Sequence, residues 1–582
     1  MKLTTPLIWV LRKTIGRVVI WKARRSVAAF KQAAAHCRDT QERVVLEKIA
    51  RNAESDFGQA HHFQSIGSID DFRRVLPVTT YEYYEPYIER LKRGEVRAMF
   101  GSGQKLLMFA LTSGTTARQK YIPITDVALK EYKRGWMLWG LHVFDTHRAI
   151  FSADSQTLQL ASDWEEFRTE GGIPCGSVSG LTAAMHGWII RRRYCLPPVI
   201  VKIKDSLARY YTALRLALPA PIAMAVAPNP STLITLARLA DDQKETLLRD
   251  LADGTLSQRF DIPSHVRDAL RPWIRRRWRS FVQQLEKAIQ RDGQLLPKHY
   301  WKRLTLLANW TGGTVRAYLR DYPHYFGNVP VRDIGLIASE GRMTVPVEDG
   351  TPAGVLDILH NFFEFIPEEE IDSPDPTVLL AHELQEGRNY YILITTSTGL
   401  YRYDIRDVVR CVGWYYGTPV LEFLHKGAHI ASLTGEKLTE HQVVTAVNRA
   451  TDQLALPCRT YTLAPVWDRL PYYALLVERQ ELPDPDAAAR LAEAVDRELR
   501  RENAEYDYKR ESLRLGPVRV RLVPDGSWQQ LRERKLAERG GTPEQYKHPC
   551  IAPQLEFADQ FGCLAEIGPE PRPEASLHAA TG

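Results

Sequence analysis

The spacing of apolar positions changes twice along the chain, and each change marks a structural boundary. From Ser26 to about Ile69 apolar residues recur mostly at helical intervals. Phe72–Leu91 (FRRVLPVTTYEYYEPYIERL) reads as a surface connection leading into another helix. Strand and helix signals then alternate from Lys105 to about Arg320, the pattern of an α/β layer structure. After Tyr325 the segments VRDIGLIASEG, GVLDILHNFFEFIP, RNYYILITTSTGLYRYDIRDVVRCVGWYY and PVLEFLHKG are rich in β-branched and aromatic residues. Gly, Pro and Asp turns separate them, which predicts consecutive strands paired antiparallel.

A second unit begins near Lys426-Gly427. Thr439-Glu440-His441-Gln442 is a capping box, and Val443, Val447, Ala450 and Leu454 follow at helical spacing. Two strand-like runs, Arg459–Pro465 and Tyr472–Val477, precede a helix capped by Asp484 with Pro485 in its first turn. Val518–Val523 is a further strand. The expected organisation is a large N-terminal domain over residues 1–425, a small α+β domain over 426–566, and a disordered tail at 567–582.

Composition narrows the class. Apolar content of 44% and charged content of 25% are those of a soluble globular protein. A net charge of +7 on 582 residues is weak evidence for a polyanionic partner. The basic runs Arg191–Arg193 and Trp273–Arg279 are read as solvated helix faces rather than a nucleic-acid surface. Seven dispersed cysteines without a C-x-x-C pair fit a reducing cytoplasm. No secretory signal is visible; the N-terminal stretch predicts an amphipathic helix with Leu7, Val10, Leu11 and Ile15 on one face. The longest uncharged run, Leu216–Ala237, contains four prolines and is no membrane span.

Four segments place polar chemistry inside apolar surroundings. The strand-like run Leu106–Leu111 stops at Thr112-Ser113-Gly114-Thr115-Thr116, and Arg118 and Lys120 follow. Hydroxyls around a glycine, with two cations close behind, suit a polyphosphate; the same composition suits an ordinary polar turn. Ala338-Ser339-Glu340-Gly341 sets a carboxylate at the end of a predicted strand, where a magnesium ion or a nucleotide is met. Tyr401–Asp407 ends a hairpin, with Asp407 suited to accept hydrogen bonds from ribose hydroxyls. Gln545–Pro549 carries Lys547 on a loop of the small domain. Taken singly, these are also a helix-capping glutamate, a strand-end salt bridge and a solvated lysine.

In this order the segments resemble the GH3 auxin-responsive promoter family, acyl-acid amido synthetases within the adenylate-forming superfamily. Thr112–Lys120 is similar to the phosphate loop of that superfamily. Ala338–Gly341 resembles the family's second motif, and Leu400–Tyr403 with Asp407-Val408-Val409 its ribose-binding motif. Trp310–Thr314, Leu421–Phe423, Gly435–Lys437 and Gln545–Lys547 extend the likeness. Ala117 stands where the superfamily has a second glycine, Leu336-Ile337 where plant members have Tyr-Gly, and Arg406 where a glycine precedes Asp407. These departures read as a divergent, bacterial-type member.

The resemblance implies a firefly-luciferase-like α/β fold, a large domain of mixed sheets with packed helices carrying a smaller lid. It implies a reaction in two halves: a carboxylic acid and ATP give an acyl-adenylate, and an amine, typically of an amino acid, displaces AMP. Thr112, Ser113, Gly114, Thr115, Thr116 and Lys120 would hold phosphates, with Ala338 and Ser339 also at the nucleotide. Glu340 would hold Mg²⁺, Asp407 the ribose, and Lys547 the charge building at the α-phosphate. Lys426 marks the expected hinge. His324 and His429 are the histidines with suitable chemistry for deprotonating the amine, and Lys535 is the fallback for Lys547. Gly172–Leu181, Asn229–Leu236 and Trp310–Thr314 are expected to line the acyl pocket, or to be tight packing turns. Transfer to a thiol, and a non-catalytic acyl- or nucleotide-binding relative, are the alternatives. Nothing in the sequence sets the oligomeric state.

Overall fold

The computed structural model describes residues 24–569, apart from 113–119, 153, 186, 372, 427–429, 432, 435, 437, 469, 483, 512–514 and 540–545. The expected N-terminal amphipathic helix therefore lies outside the described residues, as do residues 570–582 of the expected tail; Ile567, placed in that tail, instead ends a strand, Ala565–Ile567, paired with Val520. The chain divides into two compact units: Met1–Ile405 with Val409–Phe423, and Arg406–Val408 with Leu424–Gly582.

In the first unit, helix α1 (Cys37–Asn52) buries Val44, Val45 and Ile49. Helix α2 (Tyr81–Lys92) turns Tyr81, Tyr84, Ile88 and Leu91 inward, a helical stripe. The segment from Phe72 is thus no surface connection. Ile69–Val75 is a helix capped by Ser68, and Phe72, Leu76 and Tyr84 have no exposure. Its arginines and Pro77 disguised a strip that pairs with the protein interior through Thr79, whose backbone bridges Tyr403.

Strands β1 (Leu106–Thr112) and β2 (Lys120–Thr125) form an antiparallel hairpin with Thr112 opposite Lys120. Thr125 then caps the 21-residue helix α3 (Asp126–Thr146). Next come β3 (Gln156–Gln159), β4 (Phe167–Arg168), β5 (Pro174–Gly176), β6 (Ile222–Val226), β7 (Leu306–Asn309) and β8 (Val331–Asp333). One sheet has the order β2-β1-β5-β4; another, β3-β6-β7-β8, is parallel throughout. Its crossovers run through helices such as Ser206–Ala217 and Pro230–Asp242, as parallel pairing requires.

The hairpin β9 (Ile337–Ala338) and β10 (Gly341–Arg342) precedes a larger sheet. That sheet comprises β11 (Thr344–Val345), β12 (Gly354–Leu356), β13 (Phe362–Pro367), β14 (Leu379–Leu380), β15 (Asn389–Thr395), β16 (Tyr403–Tyr415) and β17 (Thr418–Lys426). Its order is β11-β12-β17-β16-β15-β13-β14. The β11-β12, β12-β17, β13-β15 and β13-β14 pairs are antiparallel, as the alternation predicts. GVLDILHNFFEFIP, however, is two strands broken by a turn at Asp357–Asn361. Ile358 in that turn is fully buried, so the apolar run continues where the strand does not.

In the second unit the short pair β18 (Ile430–Ala431) and β19 (Leu438–Thr439) leads into α4 (Glu440–Leu454). Thr439 Oγ1 accepts from Gln442 N at 3.3 Å while Gln442 Oε1 accepts from Thr439 N at 3.1 Å, the reciprocal capping box read in the sequence. Strands β20 (Tyr461–Val466) and β21 (Tyr472–Glu478) pair antiparallel. Helix α5 (Pro485–Glu502) is capped by Asp484. Strand β22 (Arg519–Val523) joins β21 in parallel, and β23 (Ala565–Ile567) closes the edge. The apolar faces of α4 and α5, including Val443, Val447, Leu491 and Val495, share a core with these strands.

Candidate functional site

Lys120 opens β2 and reaches Tyr403, its Nζ donating to Tyr403 Oη at 3.2 Å. The same ammonium lies 5.3 Å from the Tyr81 ring centre and 5.9 Å from that of Tyr403, a partly caged cation. Burial pushes the Tyr403 phenol well above its ordinary range, and the charges of Glu340 and Asp404 push it further. Tyr403 is therefore a protonated phenol that accepts from Lys120 and feels the charge of Glu340, which puts the two residues in one electrostatic neighbourhood.

Tyr403 is fixed by its neighbours. Thr79 N donates to Arg402 O, and Asp404 N donates to Thr79 O, both at 2.9 Å. Arg402 sits in the left-handed region at φ 49°. Its guanidinium is tied to Glu364 at 2.9 Å and to the Leu76 carbonyl at 2.6 Å. Tyr401 stacks on Phe57 with ring centres 5.5 Å apart and accepts from Asn52 Nδ2 at 2.7 Å. Half of the Leu400–Tyr403 motif is thus structural support for the other half.

Glu340 lies in the two-residue turn between β9 and β10 rather than at a simple strand end, and only 6% of it is exposed. Asp333, at the end of β8, positions this hairpin by accepting from Gly335 N at 2.6 Å and from Thr311 N and Oγ1 at 2.6 and 2.8 Å. Burial pushes the Asp333 carboxyl up to about 6 against those hydrogen bonds. Gly341 is needed for close packing, since a Cβ there would sit 3.0 Å from Asn361 Nδ2 and 3.3 Å from Thr396 Cγ2.

Ser339, Glu340 and Arg342 line a cleft of about 30 Å³, together with Tyr132, Asp357 and His360. Asp357 has no exposure, and its carboxylate takes both contacts of His360 Nδ1, at 2.8 and 3.0 Å. Arg342 comes from the other side. Its Nη1 donates to Ile334 O at 2.8 Å and Thr344 O at 3.1 Å, and its guanidinium lies 4.6 Å from the Trp136 ring centre. Burial pulls Arg342 down to about 10, with Tyr132, Asp357 and Asp333 holding it up. Beside the cleft, Lys48 Nζ and Ser397 Oγ meet at 2.7 Å, and both bond Glu131. Burial pulls the Lys48 ammonium below its ordinary value, with Glu131 opposing.

The residues named from the sequence divide as follows. Ser113, Gly114, Thr115 and Thr116 lie outside the described residues; Thr112 ends β1, half-buried. Lys120 donates to Tyr403, and the charge of Glu340 acts on the same phenol. Ala338 and Ser339 are half-buried beside Glu340. Asp407 lies within β16, buried, rather than at a hairpin end, and groups with the second unit. Lys426 ends β17, and its side chain is outside the described residues, as is all of His429. His324 is exposed, its ring against Tyr325. In the expected acyl segment, Val178 lines the cleft. Gly176 and Gly180 serve packing instead: a Cβ would fall within 2.6 Å of Asp163 O and 2.1 Å of Ser162 O.

Lys547 is exposed in the second unit, on a loop whose next residues are firmly held. His548 Nε2 lies 3.0 Å from both Tyr461 O and Thr462 Oγ1. Thr462 Oγ1 donates to Pro549 O at 2.7 Å, and Cys550 N donates to Glu440 Oε1 at 2.9 Å. Burial depresses His548 to about 3, so its imidazole is neutral. Arg342, Asp357 and His360 were not singled out from the sequence, and Tyr403 was read only as part of the Leu400–Tyr403 motif. The Asp-x-x-His spacing was the available signal, hidden inside an apolar run.

Among the described residues no cluster of three His, Cys, Asp or Glu side chains could hold a metal, and no helix is long and apolar enough to cross a membrane. Models of the GH3 family N-terminal, central and C-terminal domains match residues 26–331, 354–426 and 441–556. The chain is 23% identical over 550 residues to an indole-3-acetic acid-amido synthetase, GH3.3, of Arabidopsis thaliana, covering 89% of this chain and 90% of that one. It is 25% identical to a jasmonoyl–L-amino acid synthetase, GH3.5, of Oryza sativa subsp. japonica, covering 87% and 90%. A solved structure of the acyl acid amido synthetase AtGH3.15 in complex with 2,4-DB superposes with a TM-score of 0.81 at 19% identity, covering 94% and 97%.

Proposed function

From the premise that this chain belongs to the GH3 family, we propose that it is an ATP-dependent acyl-acid amido synthetase, a ligase forming carbon–nitrogen bonds. A carboxylate oxygen attacks the α-phosphorus of ATP, pyrophosphate leaves, and an amine, that of an amino acid, then displaces AMP from the acyl-adenylate. The observation that carries this reading is Lys120 donating to Tyr403 at 3.2 Å, with the buried Glu340 near enough for its charge to act on the same phenol.

The first half joins two anions, so placed positive charge and orientation supply most of the catalysis. Lys120, with Thr112, Ser113, Gly114, Thr115 and Thr116, grips the phosphates. Ala338 and Ser339 flank the nucleotide, and Asp407 takes the ribose hydroxyls. Lys547 offsets the charge that develops at the α-phosphate, a role suited to a compact ammonium on a flexible stem. Lys426 is the hinge residue.

Glu340 suits Mg²⁺, an ion that takes one or two carboxylates and completes its shell with phosphate and water. When bound, the ion offsets phosphate charge. A single buried glutamate in the turn between β9 and β10 fits that need. A cytoplasmic setting accords with seven cysteines that are all free thiols.

The test is acid-dependent ATP–pyrophosphate exchange over a carboxylic-acid panel that includes indole-3-acetate, jasmonate and 2,4-DB. Each active acid is then offered the twenty amino acids and, separately, coenzyme A. Exchange with at least one acid and an amide product supports the proposal. No exchange with any acid overturns adenylation, and a thioester product alone overturns amide synthesis.

A further inference from the structure

The second half-reaction needs a base, because an amino acid's amine is protonated at neutral pH and its nitrogen then has no electron pair to offer. We propose that His360 removes that proton, held in the working orientation by Asp357. The inference rests on the amide-forming reading and adds a residue to it.

Three observations lead to His360. It lines the cleft that holds Glu340, in the unit that carries Lys120. Its Nδ1 is engaged by the fully buried Asp357 carboxylate at 2.8 and 3.0 Å. A carboxylate accepts, so the ring proton is assigned to Nδ1 and the lone pair to Nε2. Among the described residues no hydrogen bond or ion pair engages Nε2. A cleft-lining histidine whose Nδ1 is held by a carboxylate while its Nε2 makes no hydrogen bond among the described residues has the tautomer of a general base.

The remaining charged and titratable groups around the cleft have other partners or the wrong chemistry. Glu131 is bonded to Lys48 and Ser397. Arg342 faces Asp357 and contributes the positive charge that favours that buried carboxylate. Tyr132 is a phenol raised by burial. Glu340 belongs to the phosphate side of the site. Histidines elsewhere suit the role less: His548 is neutral and occupied at Nε2, and His324 is an exposed helix residue.

The step balances as follows. The ammonium gives one proton to Nε2 and keeps the N–H electron pair. The nitrogen forms the C–N bond to the acyl carbon, and the C–O bond to AMP breaks with its electrons going to the phosphate oxygen. The nitrogen's second proton and the imidazolium proton pass to solvent.

The experiment compares wild type with His360→Gln in the full chain, using an acid and an amino acid that are active in the assays above. Pyrophosphate exchange reports the first half; amide formation, followed from pH 6 to 9, reports both. Hydroxylamine, an amine that is largely unprotonated at neutral pH, serves as an acceptor that needs no base. The expected result is that amide formation falls about 10²–10⁴-fold more than exchange does. The deficit shrinks as pH rises, and hydroxamate formation keeps pace with exchange. Equal losses in exchange and amide formation, or a hydroxamate deficit as large as the amide deficit, would overturn the assignment while leaving the amide-forming reading intact. Absence of exchange in the wild type would overturn that reading itself.

Discussion

Gly135 is the most sensitive probe of the Arg342–Asp357–His360 arrangement, because its substitution should act in the opposite direction to helix propensity. Gly135 lies inside α3, where replacing glycine with alanine ordinarily stabilises a helix by about 1 kcal/mol. Here an added Cβ would stand 2.6 Å from Arg342 Cδ, 3.0 Å from Arg342 Nε and 3.2 Å from Asp357 Oδ2. Arg342 cannot step aside easily: it is 2% exposed, its Nη1 bonds two backbone carbonyls, and Trp136 covers its face. Overpacking a tight site costs about 1–3 kcal/mol. Set against the helical gain, Gly135→Ala should destabilise the first unit by roughly 0–2 kcal/mol. Amide formation should fall with it, since a displaced guanidinium no longer faces Asp357. The measurement is the urea midpoint at constant m-value, with the cycle completed by Arg342→Ala and the double variant. In the Arg342→Ala background the δ and ε atoms that meet the methyl are gone, and the same substitution should become neutral or stabilising. A higher midpoint for Gly135→Ala in the otherwise natural chain would refute the packing argument.

Three further outcomes are expected. Arg406 holds φ 61°, a left-handed conformation that costs a side-chain-bearing residue about 1–2 kcal/mol. After allowing for glycine's greater unfolded-state entropy, Arg406→Gly should raise stability by about 0.5–1 kcal/mol in thermal denaturation; no gain would mean the strain is relieved locally. His548 has its pKa depressed to about 3 by burial, so the unfolded chain takes up a proton near pH 6.5 that the folded one refuses. The second unit should therefore keep full stability above that pH and lose about 2 kcal/mol by roughly pH 5. Trp528, packed 4.7 Å from the His548 ring, reports this by fluorescence, and His548→Gln should flatten the acid limb. Lys547→Ala should lower pyrophosphate formation about 10²–10³-fold with ATP binding kept. Unchanged pyrophosphate release would turn attention to Lys535.

Sequence reading succeeded where the physical cause is local. The Thr439 capping box and the Asp484–Pro485 helix start are set by side chains within three residues of the backbone groups they satisfy, so they were legible before any tertiary contact was known. The β1 strand was legible because an apolar run ends abruptly in hydroxyls. Resemblance, rather than periodicity, named Glu340 and Lys120 together; Lys120 donates to Tyr403, and the charge of Glu340 acts on the same phenol. Three features were not legible. The Phe72–Leu91 strip is buried by a partner more than 300 residues away, Tyr84 donating to Tyr401 O at 2.6 Å. The Asp357–His360 turn sits in an apolar run because its own backbone is buried. The glycines at 176 and 180 were compatible with ligand room or with tight packing, and the choice between them rests on the backbone of Ser162–Trp164, which the local sequence does not reveal.

The central claim is that the acid is activated as an acyl-adenylate. It is tested most directly by supplying the acid with ¹⁸O in both carboxylate positions, together with ATP and the acceptor amine, and weighing the products by mass spectrometry. Attack on the α-phosphorus transfers one labelled oxygen, so AMP should gain one ¹⁸O and the amide should retain the other. Label in inorganic phosphate with ADP as co-product, or unlabelled AMP alongside a labelled amide, would contradict the account.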